Sequence, residues 1–174
     1  MMKYVAFLRA INVGGNASIK MADLKKMLEA AGLENVQTYI QSGNVIFESN
    51  ENADALEKQI ERQLEKAAAY KIRAFVRKMQ EVQAIAEQSP FTAKDGEMAY
   101  VTFLEEMPDK KSQQALLSFK SDTDDFAFKG RELYNLRRDR EKSVFSGNFV
   151  EKTLNMPATT RNMTTIAKIV AKHT

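Results

Sequence analysis

Nine polar or glycine residues in three separate segments have side chains or backbone groups that suit the binding of an anion. They are, in chain order, Arg9, Asn12, Gly14, Gly15, Gln41, Ser42, Asn44, Arg161 and Asn162. Arginine presents a planar fork of donors that matches a carboxylate or a phosphate, and adjacent glycines allow backbone N–H groups to face an anion. The residues therefore predict a site for a small anionic ligand, such as a nucleotide or a phosphorylated metabolite.

The first segment follows an apolar run that predicts a buried strand over residues 3–13. Gly14 and Gly15 are then explained either by a tight turn into the next helix or by a loop that faces a ligand, to which Lys20 adds charge. Neither the Walker A spacing nor G-x-G-x-x-G is present. The segment alone therefore does not identify a nucleotide fold.

The second segment lies between two short β-prone runs, residues 36–40 and 44–48, and predicts the turn of a hairpin. Turn chemistry explains Gly43 and Asn44, because both residue types tolerate a positive φ. Gln41 is the residue that the turn least requires, so it is the strongest ligand candidate of this segment.

The third segment, Thr159-Thr160-Arg161-Asn162, precedes an apolar stripe that predicts a helix over residues 160–172, with Thr159 or Thr160 as its N-cap. A helix start offers free N–H donors and a partial positive charge to an anion. An arginine in the first turn opposes that charge, so Arg161 requires a partner, which is either an internal carboxylate or an external anion.

Several other chemistries find no support in the sequence. The chain has no cysteine and a single histidine, His173, so we expect no transition-metal site. There is no G-x-S-x-G or Ser-x-x-Lys nucleophile. Whether the protein is an enzyme stays open; a reaction here would depend on electrostatic stabilisation of a transferring group.

The charge distribution supports an alternative function. The net charge is only +3, but residues 129–174 contain ten Lys or Arg against four Asp or Glu. Arg137, Arg138, Arg140 and Lys142 would then be the phosphate contacts of a nucleic-acid-binding protein. A third alternative is a protein-interaction module without catalysis. No apolar run approaches the roughly 20 residues of a membrane span, and no export signal is present, so we expect a cytoplasmic protein without a membrane partner.

The elements that would position these residues follow the order β-α-β-β-α-β over residues 1–78, which is typical of a ferredoxin-like unit. Residues 79–174 predict a second α+β half that begins as a looser copy and ends in helices, with predicted helices over residues 144–154 and 160–172. The sequence thus predicts an α+β protein with an antiparallel-rich sheet and a C-terminal helical cover.

In combination, the motifs resemble those of the bacterial family called domain of unknown function 1697, over about residues 3–172. They are Leu8-Arg9-x-Ile11-Asn12-Val13-Gly14-Gly15, Lys20-Met21-x-x-Leu24, Tyr39-x-Gln41-Ser42-Gly43-Asn44-Val45-x-Phe47, Ser89-Pro90-Phe91 and Thr159-Thr160-Arg161-Asn162-x-x-Thr165. The resemblance implies two ferredoxin-like (βαββαβ-type) halves and no particular activity. The chain departs from the family pattern at Met163, where a tryptophan is usual.

Overall fold

The computed structural model describes residues 1–9, 19–39, 43–68, 71–146 and 148–173. By its internal contacts the chain divides into two compact units, residues 1–83 and 84–173. Each unit contains one four-stranded antiparallel sheet with helices. The prediction of an α+β protein with two ferredoxin-like halves is confirmed.

The first unit contains four strands and two helices in the order βαββαβ. They are β1 (Met2–Arg9), α1 (Met21–Ala30), β2 (Glu34–Tyr39), β3 (Asn44–Ser49), α2 (Ala53–Ala68) and β4 (Arg73–Lys78). The strand order is β2-β3-β1-β4, and every neighbouring pair is antiparallel. A further helix, α3 (Met79–Glu87), follows β4 directly.

The core of this unit lies between one face of the sheet and the helices. Leu56, Ile60 and Leu64 recur at four-residue steps, so they form one stripe on α2, and all three are fully buried. On the sheet, Tyr4, Ala6 and Leu8 alternate onto the same face, together with side chains from β3 and β4. This packing fixes the register of the strands, because a slip of one residue would turn the apolar set away from the helices.

The second unit repeats this arrangement. Its elements are β5 (Met98–Leu104), α4 (Lys110–Leu117), β6 (Asp124–Lys129), β7 (Glu132–Arg137), α5 (Phe149–Leu154), β8 (Ala158–Asn162) and α6 (Met163–His173). The strand order is β6-β7-β5-β8, again entirely antiparallel. Leu104, Phe126 and Leu133 belong to the core cluster on the helix-covered face of this sheet.

The first strands of the two sheets carry the same pattern. Tyr4-Val5-Ala6-Phe7-Leu8 in β1 corresponds to Tyr100-Val101-Thr102-Phe103-Leu104 in β5. Both strands are central and pair with the third and fourth strands of their own sheet. Positions of the two units can therefore be compared through these pairings; Arg77, opposite Val5, corresponds to Arg161, opposite Val101.

The C-terminal elements differ from the predicted ones in two places. Residues 158–162 form the strand β8 instead of a helix start, and α6 begins only at Met163. The Thr160 hydroxyl lies 2.7 Å from that of Thr102 on β5, a cross-strand pair that favours the strand. The helix predicted over residues 144–154 begins only at Phe149.

Candidate functional site

The first candidate site lies at the end of the first sheet where β1 finishes. Arg9, the last residue of β1, pairs directly with Arg73, the first residue of β4. Directly paired residues of antiparallel strands share a face, with Cβ atoms about 5 Å apart. Both arginines are partly exposed. Arg73 Nε lies 3.1 Å from Glu61 Oε2 on α2, so a carboxylate lies beside this arginine.

Asn44 begins β3 at the same end of the sheet, opposite Phe7 of β1 and Tyr39 of β2. It is 1% exposed, and its Nδ2 donates to the Tyr39 carbonyl at 3.1 Å. The neighbouring Gly43 has a φ of 82° and accepts a hydrogen bond from the Leu8 N–H at 2.8 Å. A side chain at position 43 would be strained at this φ. The hydrogen bond from Asn44 to Tyr39 therefore connects the start of β3 to the end of β2.

The first turn of α1 lies at this end as well. Strands β1 and β2 both run antiparallel to β3, so they are parallel to each other. The connecting helix α1 therefore begins at the end of the sheet where β1 finishes and runs back toward the end where β1 and β2 begin. Lys20 occupies the N-cap position, and no side-chain hydrogen bond caps the helix among the residues that the structure describes. The backbone N–H groups of a helix start suit an anion.

Five of the predicted site residues lie outside the described residues. They are Asn12, Gly14, Gly15, Gln41 and Ser42. Their segments, residues 10–18 and 40–42, adjoin Arg9 and Gly43, which lie at one end of the sheet. Neither segment contains an aspartate or a glutamate.

Arg161 and Asn162 lie in the second unit, in β8. Arg161 is buried, and its Nη1 donates to Thr159 Oγ1 at 2.7 Å and to the Thr160 carbonyl at 2.9 Å. Burial lowers the pKa of Arg161 to about 10. The prediction that Arg161 lies in the first turn of a helix is wrong. The Asn162 side chain caps the start of α6, because its Oδ1 accepts a hydrogen bond from the Thr164 N–H at 2.9 Å.

The structure thus brings Arg9 and Asn44 to one end of the first sheet and places Arg161 beside Asn162 on the second. That the two pairs form one site stays a prediction. The sequence analysis missed Arg73 and Glu61, because nothing local marks them. Only the register between β1 and β4 places Arg73 opposite Arg9.

The basic C-terminal residues are partly engaged within their own unit. Arg138 lies 3.8 Å from Glu97 and 3.7 Å from Asp125, and the guanidinium of Arg137 lies 5.3 Å from the centre of the Tyr100 ring. Arg140 and Lys142 are exposed. Arg138, one of the four predicted phosphate contacts, therefore already lies beside two carboxylates, which weakens the nucleic-acid hypothesis.

Among the described residues, no group of three or more His, Cys, Asp or Glu side chains is arranged to hold a metal ion. No helix within those ranges has the length and apolar character needed to cross a membrane.

Comparisons with known proteins found a family match and similar solved structures. The profile of the family described as "Protein of unknown function (DUF1697)" matches residues 1–134. The solved structure of the conserved bacterial protein SP0830 from Streptococcus pneumoniae is similar over 99% of this chain and 98% of its own, with a TM-score of 0.76 and 23% identity. This likeness shows the fold alone. An unknown protein from Galdieria sulphuraria covers 92% of this chain and 98% of its own, with 12% identity and a TM-score of 0.25, too low for inference. A search of curated proteins found no match.

Proposed function

Because the chain belongs to the DUF1697 family, whose description assigns no function, we propose from the geometry that it binds a small anionic ligand at the end of the first sheet. The observation that carries the proposal is the direct pairing of Arg9 with Arg73. Like charges directly opposite each other destabilise a sheet. A bound anion between the two guanidinium groups would convert that repulsion into attraction.

The local charge balance supports this proposal. Arg9 and Arg73 face each other with Glu61 beside Arg73, and the adjoining segments, residues 10–18 and 40–42, contain no aspartate or glutamate. The first turn of α1 offers backbone donors at the same end of the sheet, and Lys20 at its N-cap is exposed. Two guanidinium forks together with a helix start suit a phosphate better than a carboxylate, since a phosphate offers more acceptor oxygens and more charge.

The proposed ligand is a nucleotide or a phosphorylated metabolite. Arg9 binds its charge, Gly14 and Gly15 supply backbone donors, and Gln41, Ser42, Asn44 and Asn12 orient the remainder. Arg161 and Asn162 are the less supported members of this set, because the Arg161 guanidinium already donates to Thr159 and Thr160. The cysteine-free composition suits the reducing cytoplasm, which we propose as the location.

The proposal is tested by thermal unfolding with inorganic phosphate, pyrophosphate and ATP, each at two salt concentrations. The variants are Arg9→Gln and, as a matched control, Arg62→Gln. Arg62 is an exposed arginine of the same unit, on α2. A ligand at about 100 times its Kd stabilises by roughly 2.7 kcal/mol, which raises the Tm by a few degrees in a chain of this size. The shift produced by the ligand is compared within each variant, so a change in basal Tm does not affect the result.

We expect pyrophosphate or ATP to raise the Tm of the wild type and of Arg62→Gln, and to leave Arg9→Gln nearly unchanged. An equal shift in the two variants would show that the anion binds elsewhere. A shift produced only by a short RNA and abolished by salt would favour nucleic-acid binding, because phosphate-backbone contacts depend steeply on salt.

A further inference from the structure

Asn135 is a buried polar residue in the middle of the second sheet. It lies in β7, on the helix-covered face, directly opposite Tyr100 of β5 and Phe126 of β6. Its side chain is 0% exposed, and neither Nδ2 nor Oδ1 has a hydrogen-bond partner among the described residues. A buried amide that lacks partners is costly, so such groups are rare and call for an explanation.

The equivalent position in the first unit shows that the fold does not require an amide. Phe47 pairs with Tyr4 as Asn135 pairs with Tyr100. The rings of Phe47 and Tyr4 stack with their centres 5.7 Å apart. In the second unit the amide replaces a ring, and Tyr100 stacks instead on Phe145, at 5.3 Å. Packing of the sheet core therefore does not account for an amide at position 135.

The surroundings of Asn135 suit a planar, negatively charged ligand. Along β7, the next residue on the same face is Arg137, which pairs with Met98 at the end of the sheet. Met98 is 37% exposed, so this end reaches the surface. Arg137 lies over the Tyr100 ring. Phe145, the other residue in contact with the Tyr100 ring, belongs to residues 138–146, which form neither helix nor strand.

We propose that this end of the second sheet binds a nucleoside monophosphate. The base takes the place of Phe145 on the Tyr100 ring, and its donor and acceptor edge pairs with the Asn135 amide, as asparagine does with adenine. The phosphate binds Arg137. This site shares no residue with the proposed anion site of the first unit and does not depend on it.

The test measures binding of AMP, GMP, UMP and ribose 5-phosphate by calorimetry. The variants are Asn135→Leu, Phe145→Ala and, as a control, Phe119→Ala, which removes another partly exposed ring of the same unit. Asn135→Leu has similar volume and removes only the unsatisfied amide, so it is expected to fold and to melt at or above the wild-type temperature. The nucleotides are also titrated against Arg9→Gln, to exclude binding at the first sheet.

We expect one nucleotide to bind at least about ten-fold more tightly than ribose 5-phosphate, and Asn135→Leu to lose at least about ten-fold of that affinity. Phe145→Ala should bind more tightly, because the base no longer competes with a ring, and Phe119→Ala and Arg9→Gln should bind as the wild type does. The proposal is overturned if no nucleotide binds, if Asn135→Leu binds as well as the wild type, or if Arg9→Gln abolishes the signal.

Discussion

Tyr134 and Arg161 lie on the two sides of Val101 on one face of the second sheet, one strand away in each direction. Burial raises the pKa of Tyr134 to about 12, with a smaller contribution from Glu132, and lowers the pKa of Arg161 to about 10. The two directions have one cause, since loss of water disfavours the tyrosinate anion and the guanidinium cation alike. Burial on this face of the sheet therefore disfavours the charged form of both side chains.

The first prediction concerns stability at high pH. Between pH 10 and 12 an unfolded Tyr134 has lost its proton while the folded one keeps it, so the contribution of Tyr134 to the free energy of unfolding falls as pH rises. Below pH 10 both states are protonated and this contribution is fully present. Arg161, with its lowered pKa, contributes in the opposite direction, but equally in the wild type and in Tyr134→Phe, so the comparison of the two proteins isolates Tyr134. At pH 12 the wild type should have lost about 2 kcal/mol more than Tyr134→Phe.

Urea unfolding of the two proteins at several pH values from 9 to 12 measures this difference. Tyr39→Phe, at a partly exposed tyrosine of the other unit, serves as a control for the removal of a tyrosine hydroxyl. Equal pH slopes for the wild type and Tyr134→Phe would show that Tyr134 titrates normally.

The second prediction concerns the structural role of the buried Arg161. Arg161→Ala should lower the free energy of unfolding by about 3 kcal/mol, because a large buried side chain leaves a cavity. Arg161→Met should stay within about 1 kcal/mol of the wild type, since the lost hydrogen bonds are offset by the lost cost of burying a charge. Chemical denaturation measures both. If the methionine variant is as unstable as the alanine variant, the bonds to Thr159 and Thr160 outweigh desolvation.

Much of the fold could be predicted because its signals are local. The four-residue spacing of Leu56, Ile60 and Leu64 predicts a helix, and the alternation of Ile72, Ala74 and Val76 predicts a strand; the structure confirms both, as α2 and β4. The strand β8 could not be predicted in this way. Thr159 and Thr160 are good helix caps and good strand residues, and the choice depends on β5, a distant partner in sequence.

The residues of the candidate site could likewise be predicted only where the signal is local. Residue type alone marks Arg9 as an anion contact, but its neighbour Arg73 becomes visible only when β1 and β4 pair. Asn135 reads in the sequence as one polar residue in a strand. Its importance comes from complete burial and from the comparison with Phe47, both of which need the fold.

The third prediction concerns the edges of the two sheets. The last strand of each sheet is an edge strand, and a glutamate of the preceding helix accepts a hydrogen bond from its backbone: Glu57 from the Val76 N–H at 2.8 Å, and Glu151 from the Ala158 N–H at 2.9 Å. Glu57 Oε2 also lies 3.9 Å from Nη1 of the fully buried Arg77. Glu57→Ala should therefore destabilise the protein by about 2 kcal/mol.

Urea denaturation of Glu57→Ala and Glu57→Gln tests this edge contact. The glutamine keeps an acceptor for Val76 and should lose less than the alanine. Glu65→Ala, on the same helix, is the matched control and should lose less than about 0.5 kcal/mol. Similar losses at Glu57 and Glu65 would mean that the contact with the strand edge contributes nothing beyond helix propensity.

The fourth prediction concerns Asp124, which holds the segment between β7 and α5. Asp124 is 1% exposed, and its carboxylate accepts from Ser143 Oγ at 2.5 Å and from the Val144 N–H at 2.9 Å. The segment carries the exposed Arg140 and Lys142, at which trypsin cleaves. Asp124→Ala should release the segment and lower the free energy of unfolding by about 2–3 kcal/mol, because two charge-assisted hydrogen bonds are lost.

Limited proteolysis under native conditions distinguishes release of the segment from global loss of stability. In Asp124→Ala, cleavage after Arg140 and Lys142 should accelerate far more than cleavage in the first unit, because the released segment samples open conformations locally. Asp122→Ala, an exposed neighbour, is the control and should be cleaved at the wild-type rate. If Asp124→Ala accelerated cleavage equally in both units, the carboxylate would stabilise the whole chain and not this segment. Release would also free Phe145 from Tyr100, so the same variant should bind the proposed nucleotide more tightly.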